Sequence, residues 1–341
     1  MVTIKDIAKH TGVSPTTVSN VIHGRDSKVS PETREKVQKA LEELNYSANM
    51  GGRLLANHGS KIIGMIIQDN EAEAEEFYDN PYYGELIQAI ESQIKAAGYF
   101  MMFHRVSNFE EGAKLAEMWR LESLIVSGAS AEDISKWEKR VKVPVVFVDT
   151  YGGKKNKAKL NVGIRDQEGA YDLTNYLIEK GHEKIIFLAK GEESDKWIGA
   201  DFERAQGVKK AMSEKKLTPL FLGMPTTYKY YQSFVNEVLQ EKIQEYTAIF
   251  CASDLIAVQV ISELYKTGTR IPKDVSIVSF DGTLFSKYAT PQITSMSQDI
   301  SVKAASIVKL ALQGILSQEE FNGEIILETE LIEGESVLTI D

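Results

Sequence analysis

The chain has 341 residues, of which 43% are hydrophobic and 26% charged, with a formal net charge of −10 at pH 7. That length exceeds the usual single domain, so two or three domains with sizeable cores are expected. No run approaches the roughly 18 apolar residues of a membrane span, and the opening MVTIKDIAKH lacks the apolar stretch of a signal peptide, so a cytoplasmic protein with no membrane partner is expected. The single cysteine, Cys251 in AIFCASD, excludes an intrachain disulfide and a multi-cysteine metal site, and reads as a small buried residue. The charge is unevenly placed. Residues 1–60 carry 8 Lys+Arg against 6 Asp+Glu, leaving that segment at +2 and the remainder at −12. A mildly basic first sixth can meet a polyanion while the acidic remainder stays clear of the phosphates.

Thr3 with Asp6 three residues on forms a capping pattern, and Ile4, Ile7 and Ala8 share one helical face, predicting a short first helix. Gly12 tolerates positive φ in the turn TGV. Ser14 is a good N-cap and Pro15 suits a first helical turn, so a second helix starts near Pro15. Val18, Val21 and Ile22 form its inner stripe and leave Pro15, Thr16, Thr17, Ser19 and Asn20 outside. Two short helices joined by a glycine turn make a helix-turn-helix, whose second helix can enter a major groove. Ser30-Pro31 repeats the start signal, and Val37, Leu41 and Leu44 complete a three-helix core.

The stretches VTIKDIAKHTGVSPTTVSNVI, VSPETREKVQKALEELNYSAN and RLLANHGSKIIGMI resemble, in register over about the first 65 residues, the bacterial lactose-repressor (LacI/GalR) family of transcription regulators. The resemblance implies that Pro15, Thr16 and Asn20 face base edges, that Ser14, Thr17 and Ser19 face the DNA backbone, and that Thr3 also lies in the DNA-binding set. NYSANMGGRLLANHG resembles the family hinge, with Leu55 as a minor-groove wedge flanked by Arg53 and Ala56. Gly51 and Gly52 depart from the family pattern, and each costs a helix roughly 0.8–1 kcal/mol relative to alanine.

From Lys61 short apolar runs alternate with amphipathic stretches. KIIGMIIQ, YFMMFH, SLIVSG, VPVVFVD, KIIFLA, AIFCAS and VSIVSFD are predicted strands. YGELIQAIESQIKAAG, EEGAKLAEMW, AEDISKWEKR, QEGAYDLTNYLIEKG and DLIAVQVISELYKTG are predicted helices, the last closing at Gly268. The alternation reads as two doubly wound parallel α/β units behind an all-α helix-turn-helix headpiece, and the resemblance implies a hinge between them and an α/β body like periplasmic binding proteins, built of two doubly wound parallel-sheet subdomains. The expected boundaries are a headpiece over 1–47 and a hinge over 48–60. A first effector subdomain follows over 61–161 plus about 292–322, and a second over 162–291 plus about 323–341. The crossings, near Pro291 to add ITSMSQ to the first unit and near Asn322 back to the second, are what the resemblance implies.

Ligands in open α/β sheets bind beyond the carboxyl ends of the strands. Asp149, Asp166, Ser253, Asp254 and Asp281 stand there, and carboxylates suit a ligand rich in hydroxyls. Asp254 has the alternative of capping the helix that follows. The resemblance implies that Arg204, in an Arg-x-x-Gly element, and Asp281, in SFD where the family has GFD, touch the effector. Ser253 replaces a common asparagine. Tyr78, Tyr82, Trp197 and Tyr228 are candidate stacking faces, although a loop tryptophan can equally cover a hydrophobic edge. The acidic loop from Asp69 to Leu86 is longer than the family's usual link, and its four glutamates before Phe77 favour a neutral sugar over an anionic effector.

The function expected is a sequence-specific, sugar-responsive repressor of carbohydrate-utilisation genes, associated with the nucleoid. It would bind double-stranded operator DNA as a homodimer, because one small headpiece making few phosphate contacts binds weakly alone, and the stretch ESVLTID carries no leucine heptads, so a tetramer is not expected. A regulator answering to a purine or nucleoside, and a stand-alone solute-binding protein, are the alternatives. No Walker loop, Gly-x-Ser-x-Gly elbow or His-Glu-x-x-His is present, and the five histidines are scattered, so neither an enzyme nor a cofactor or metal is expected.

Overall fold

The computed structural model describes residues 2–22, 26–46, 59–69, 79–151, 157–191, 197–317 and 321–340. Arg53, Leu55, Ala56, Gly51, Gly52, Tyr78 and the side chain of Tyr228 lie outside the described set, as do the four glutamates of the acidic loop. The chain divides into two compact units, Met1–Ser60 and Lys61–Asp341.

In the first unit the capping residues set each helix start. Helix α1 (Ile4–Thr11) begins at a complete Thr3–Asp6 capping box and ends where Gly12 adopts φ 66, the left-handed conformation that a glycine enters without steric cost. Helix α2 (Pro15–Ile22) starts after Ser14, whose hydroxyl accepts from the Thr17 N–H at 3.1 Å. Helix α3 (Pro31–Glu43) starts after Ser30, which accepts from the Thr33 N–H at 3.3 Å. Ile7, Ala8, Val18, Val37 and Ala40 are buried between the three, with Val21, Ile22, Leu41 and Leu44 packed around them. Of the positions that the helical spacing selected as core, Ile7, Ala8, Val18 and Val37 are buried, whereas Ile4, Val21, Ile22, Leu41 and Leu44 are partly buried around them, and Ala40 joins the core unselected.

In the second unit two six-stranded sheets form two lobes. The first lobe runs β1 (Ile62–Gln68), α4 (Pro81–Ala96), β2 (Phe100–Val106), α5 (Phe109–Met118), β3 (Ser123–Ser127), α6 (Ile134–Arg140), β4 (Val145–Val148) and β5 (Leu160–Ile164). The second lobe continues with α7 (Asp166–Glu179), β6 (Ile185–Lys190), α8 (Gly199–Glu214), β7 (Leu220–Met224), a broken helical segment over residues 231–242, and β8 (Ala248–Cys251). Then come α10 (Asp254–Lys266), β9 (Ser276–Asp281), α11 (Leu284–Tyr288) and β10 (Thr294–Gln298), with the broken segment counted as α9. Helix α12 (Ile300–Leu316) leads to β11 (Gly323–Leu327) and β12 (Thr329–Ile332). The sheet orders are β11-β5-β4-β3-β1-β2 and β12-β10-β9-β8-β6-β7, parallel except for the β10–β12 pair. Central strands are buried along nearly their whole length and mostly apolar, as expected of a parallel sheet covered on both faces, which is why they read as short apolar runs; Asn161, Ser276, Ser279 and Asp281 are buried polar exceptions.

The crossings differ from those expected. ITSMSQ does not join the first lobe. Strand β10 pairs in parallel with β9, and the chain returns to the first lobe only after Gln298, where α12 packs. It is β11 that pairs with β5 in the first sheet, and β12 that ends the second. The reason is local chemistry. Ser295 donates to Asp254 at 2.8 Å, the Thr294 N–H donates to Ser336 at 2.9 Å, and Met296 packs into the second core. The chain therefore passes between the lobes at Ile164–Asp166, at Gln298–Ile300 and at Glu328, and the outer two passages are tied by the Arg165 N–H donating to Leu327 O at 3.0 Å.

Candidate functional site

Helix α2 presents Ser14, Pro15 and Thr16 exposed, with Thr17, Ser19 and Asn20 half-buried beside them, and Val18 fully buried behind. The Ser14 and Thr17 hydroxyls lie 2.9 Å apart, so both serve the helix start. The Thr3 hydroxyl donates to Asp6 at 2.7 Å, which gives it a capping role at the surface of α1. Hydroxyls, an amide and an apolar proline face on one exposed helix form the mixed polar and apolar surface that base edges and thymine methyls accept.

In the body Asp149, Asp166 and Asp281, each just after or at the end of a strand, join Arg204 of a helix in one network. Helix α8 carries Arg204, and Gly207 one turn later lets α8 approach α7, because a Cβ there would press on the Gln167 carbonyl and the Tyr171 amide. Arg204 Nε then donates to Asp166 Oδ1 at 2.7 Å, Nη2 to Asp281 Oδ1 at 3.1 Å and Nη1 to Ala252 O at 2.6 Å, with the guanidinium 3.8 Å over the Phe280 ring. Burial opposes its charge, but Asp166, Asp281 and Asp201 hold the guanidinium's pKa above its usual value. Burial raises both carboxyls: Asp166 lies above the usual carboxylate range despite Arg204, and Asp281 is pushed up to about 7. Tyr151 donates to the other oxygen of Asp166.

At the first lobe's end of the network, Asp149 Oδ2 accepts from Tyr82 Oη at 2.9 Å and Lys303 Nζ at 2.5 Å. Burial beside Asp149 raises the Tyr82 phenol well above its usual range. Asp149 has φ 50 and Asp281 has φ 110, so both cleft aspartates stand where ordinary side chains are costly, as functional residues often do. Cavities of about 420 and 470 Å³ flank the network, the first lined by Tyr151, Asn161, Asp166 and Glu203, the second by Gly282, Ser297 and Gln298. Asp149 Oδ1 and Asn161 Oδ1 are buried without a hydrogen-bond partner among the described residues.

Other expected residues sit differently. Asp254 is buried and fully engaged within the second lobe, accepting from Ser279, Ser295 and the Thr283 amide and hydroxyl at 2.5–2.8 Å, so it fastens the ends of β8, β9 and β10 together. Ser253 is the N-cap of α10, accepting from the Ile256 N–H, and it is Ser253 rather than Asp254 that caps this helix. Trp197 lies in the second lobe's core, 5.3 Å from Phe187 edge-to-face, with its indole N–H on Lys190 O, so its ring covers a hydrophobic edge. Cys251 is buried, as its apolar run predicts. Sequence reasoning missed Lys303, Gln298 and Tyr151. The one signal for Lys303 is its place on the apolar stripe of α12, beside Ala304 and one turn before Ile307.

Comparison with known proteins identifies the family and the fold. Residues 3–49 match the description "Bacterial regulatory proteins, lacI family", and residues 174–337 match "Periplasmic binding protein-like domain". The HTH-type transcriptional regulator MalR of Clostridium butyricum is 32% identical over 349 residues, covering 99% of each chain. The HTH-type transcriptional repressor PurR of Pasteurella multocida is 31% identical, again covering 99% of each. The solved lac repressor dimer bound to operator and the anti-inducer ONPF superimposes with a TM-score of 0.82 at 24% identity, covering 99% of each chain. The chain belongs to the lacI family of bacterial regulatory proteins. It is a DNA-binding transcription regulator with a two-lobed α/β body.

Proposed function

We propose that this chain is a homodimeric repressor of carbohydrate-utilisation genes in the bacterial cytoplasm, in which α2 reads each half of a pseudo-palindromic operator and a neutral sugar between the lobes sets operator affinity. The observation that carries the sugar reading is the sign of the cleft's spare hydrogen-bonding capacity. All three donors of Lys303 are engaged, while the carboxylate oxygen of Asp149 and the amide oxygen of Asn161 have no partner among the described residues. Unmet acceptors call for a ligand that donates, and sugar hydroxyls do so without adding negative charge beside Asp149, Asp166 and Asp281. A purine or nucleoside is the second reading, favoured by the similarity to PurR. Against it, Tyr82 is buried in the first lobe's core and Trp197 in the second's, so neither offers a free stacking face.

A ligand alters operator affinity only through its differential affinity for two arrangements of the lobes. Two linked headpieces are required because one small module makes few phosphate contacts and binds weakly. Fluorescence anisotropy with DNA from the gene's own upstream region tests this, with and without maltose, cellobiose, hypoxanthine and guanine. Tight, sequence-selective binding of a dimer, altered by a neutral sugar, is expected. Sequence-blind binding, or a response to the purines alone, would overturn the reading.

A further inference from the structure

Lys303 stands in the first turn of α12 with its side chain fully out of water. A buried ammonium persists only where its charge is matched and its protons are all accepted. Here Asp149 Oδ2 accepts at 2.5 Å, Gln298 Oε1 at 2.8 Å and Tyr82 Oη at 3.0 Å. Asp149 and Tyr82 belong to the first lobe, whereas Gln298 is the last residue of β10 in the second sheet. The nitrogen of the same Gln298 amide donates to Asp281 Oδ1 at 3.0 Å, the oxygen that Arg204 also reaches.

One amide therefore touches the anchoring charge of each lobe, and it can do so in only one orientation. With oxygen toward Lys303 and nitrogen toward Asp281 both contacts are attractive. Reversed, the amide would set N–H groups against the ammonium and an oxygen against the carboxylate. The cation of Lys303 thus fixes which way Gln298 faces, and Gln298 in turn holds the Asp281 carboxylate.

We propose that Lys303 is a positioning residue that, through the oriented amide of Gln298, couples the Asp149 end of the effector cleft to the Asp281 end, so that a ligand reaching either carboxylate is felt by both lobes. The coupling deepens the reading of this cleft as the effector site and rests on it, but the test needs no ligand, so the two can fail separately. The unliganded full chain is melted as wild type, Lys303→Met, Asp281→Asn and the double variant, and the same cycle is repeated in a Gln298→Ala background. The expected result is non-additivity of at least about 2 °C in the body's melting temperature with Gln298 present, and additivity without it. Loss of packing alone would leave the two substitutions additive in both backgrounds. Where Lys303→Met does not fold, Lys303→Gln, which removes the cation but leaves a polar head in its place, replaces it in the cycle with the same expectation. Additive effects with Gln298 intact, or non-additivity that survives Gln298→Ala, overturns the proposal.

Discussion

A guanidinium removed from water keeps its charge only where carboxylates surround it, and Arg204 has Asp166 at 2.7 Å and Asp281 at 3.1 Å on separate nitrogens. Lysine offers a single point charge and cannot span both together with Ala252 O, so Arg204→Lys should behave as a loss rather than a conservative change. Leaving one buried carboxylate unmatched costs about 3–5 kcal/mol, readable by urea denaturation of the body; a loss under about 1 kcal/mol would mean that the carboxyls simply take up protons. Asp281 makes a prediction of its own. Its folded pKa of about 7 exceeds the unfolded value, so the folded state binds the extra proton, and Asp281's share of stability, complete at low pH, is lost as pH rises to about 7. Asp281→Asn should flatten the fall in melting temperature between about pH 4 and pH 7, with Asp166, also raised, supplying what slope remains. An unchanged slope would place that titration elsewhere. At this scale the sequence was partly legible. Asp149, Asp166 and Asp281 announce themselves by standing after apolar strands. Lys303 and Gln298 do not, since a lysine in an amphipathic helix and a glutamine at a strand end look solvated until the packing shows which face is covered.

Helix α8 shows why a residue's role depends on its element. Gly207 in an isolated helix would be improved by alanine by about 1 kcal/mol, yet here its missing Cβ is what lets α8 sit against the backbone of α7, where Asp166 begins the helix. Gly207→Ala should therefore destabilise the body by about 1–3 kcal/mol and weaken effector binding, because Arg204 moves with its helix. A gain in stability would show that α7 yields more cheaply than its packing suggests. Capping makes the matching case in the headpiece. Ser14→Ala removes the acceptor for the Thr17 N–H and should cost about 1 kcal/mol of headpiece stability, seen as lower affinity for every operator alike rather than as altered base preference. Elements of this kind were readable in advance, because caps, prolines and apolar periodicity are local. The destination of β10 was not. TSMSQ is neither an apolar run nor a clean alternation, and its place in the second sheet is decided by Ser295 on Asp254 and the Thr294 amide on Ser336, contacts made across 41 and 42 residues of chain.

For the whole molecule, the two compact units each close around their own core, and this separates what the body can do from what the headpiece adds. If the cleft is the effector site, a chain lacking residues 1–60 should bind the effector as tightly as the intact free protein, since the described cleft residues all lie beyond Lys61. Operator DNA must then change effector affinity in the intact chain and leave it untouched in the shortened one. The size of that change is fixed by linkage. Whatever factor the effector imposes on operator affinity, typically about 5–150-fold, the operator imposes on effector affinity. Calorimetric titration of sugar into the free and operator-bound protein measures one side of the cycle, and anisotropy with and without saturating sugar the other. Equal factors are expected from one body switching between two arrangements. A shortened chain that fails to bind, or an operator complex that takes sugar with the affinity of free protein, would detach the cleft from the headpiece and leave Arg204 and its aspartates a role in stability alone.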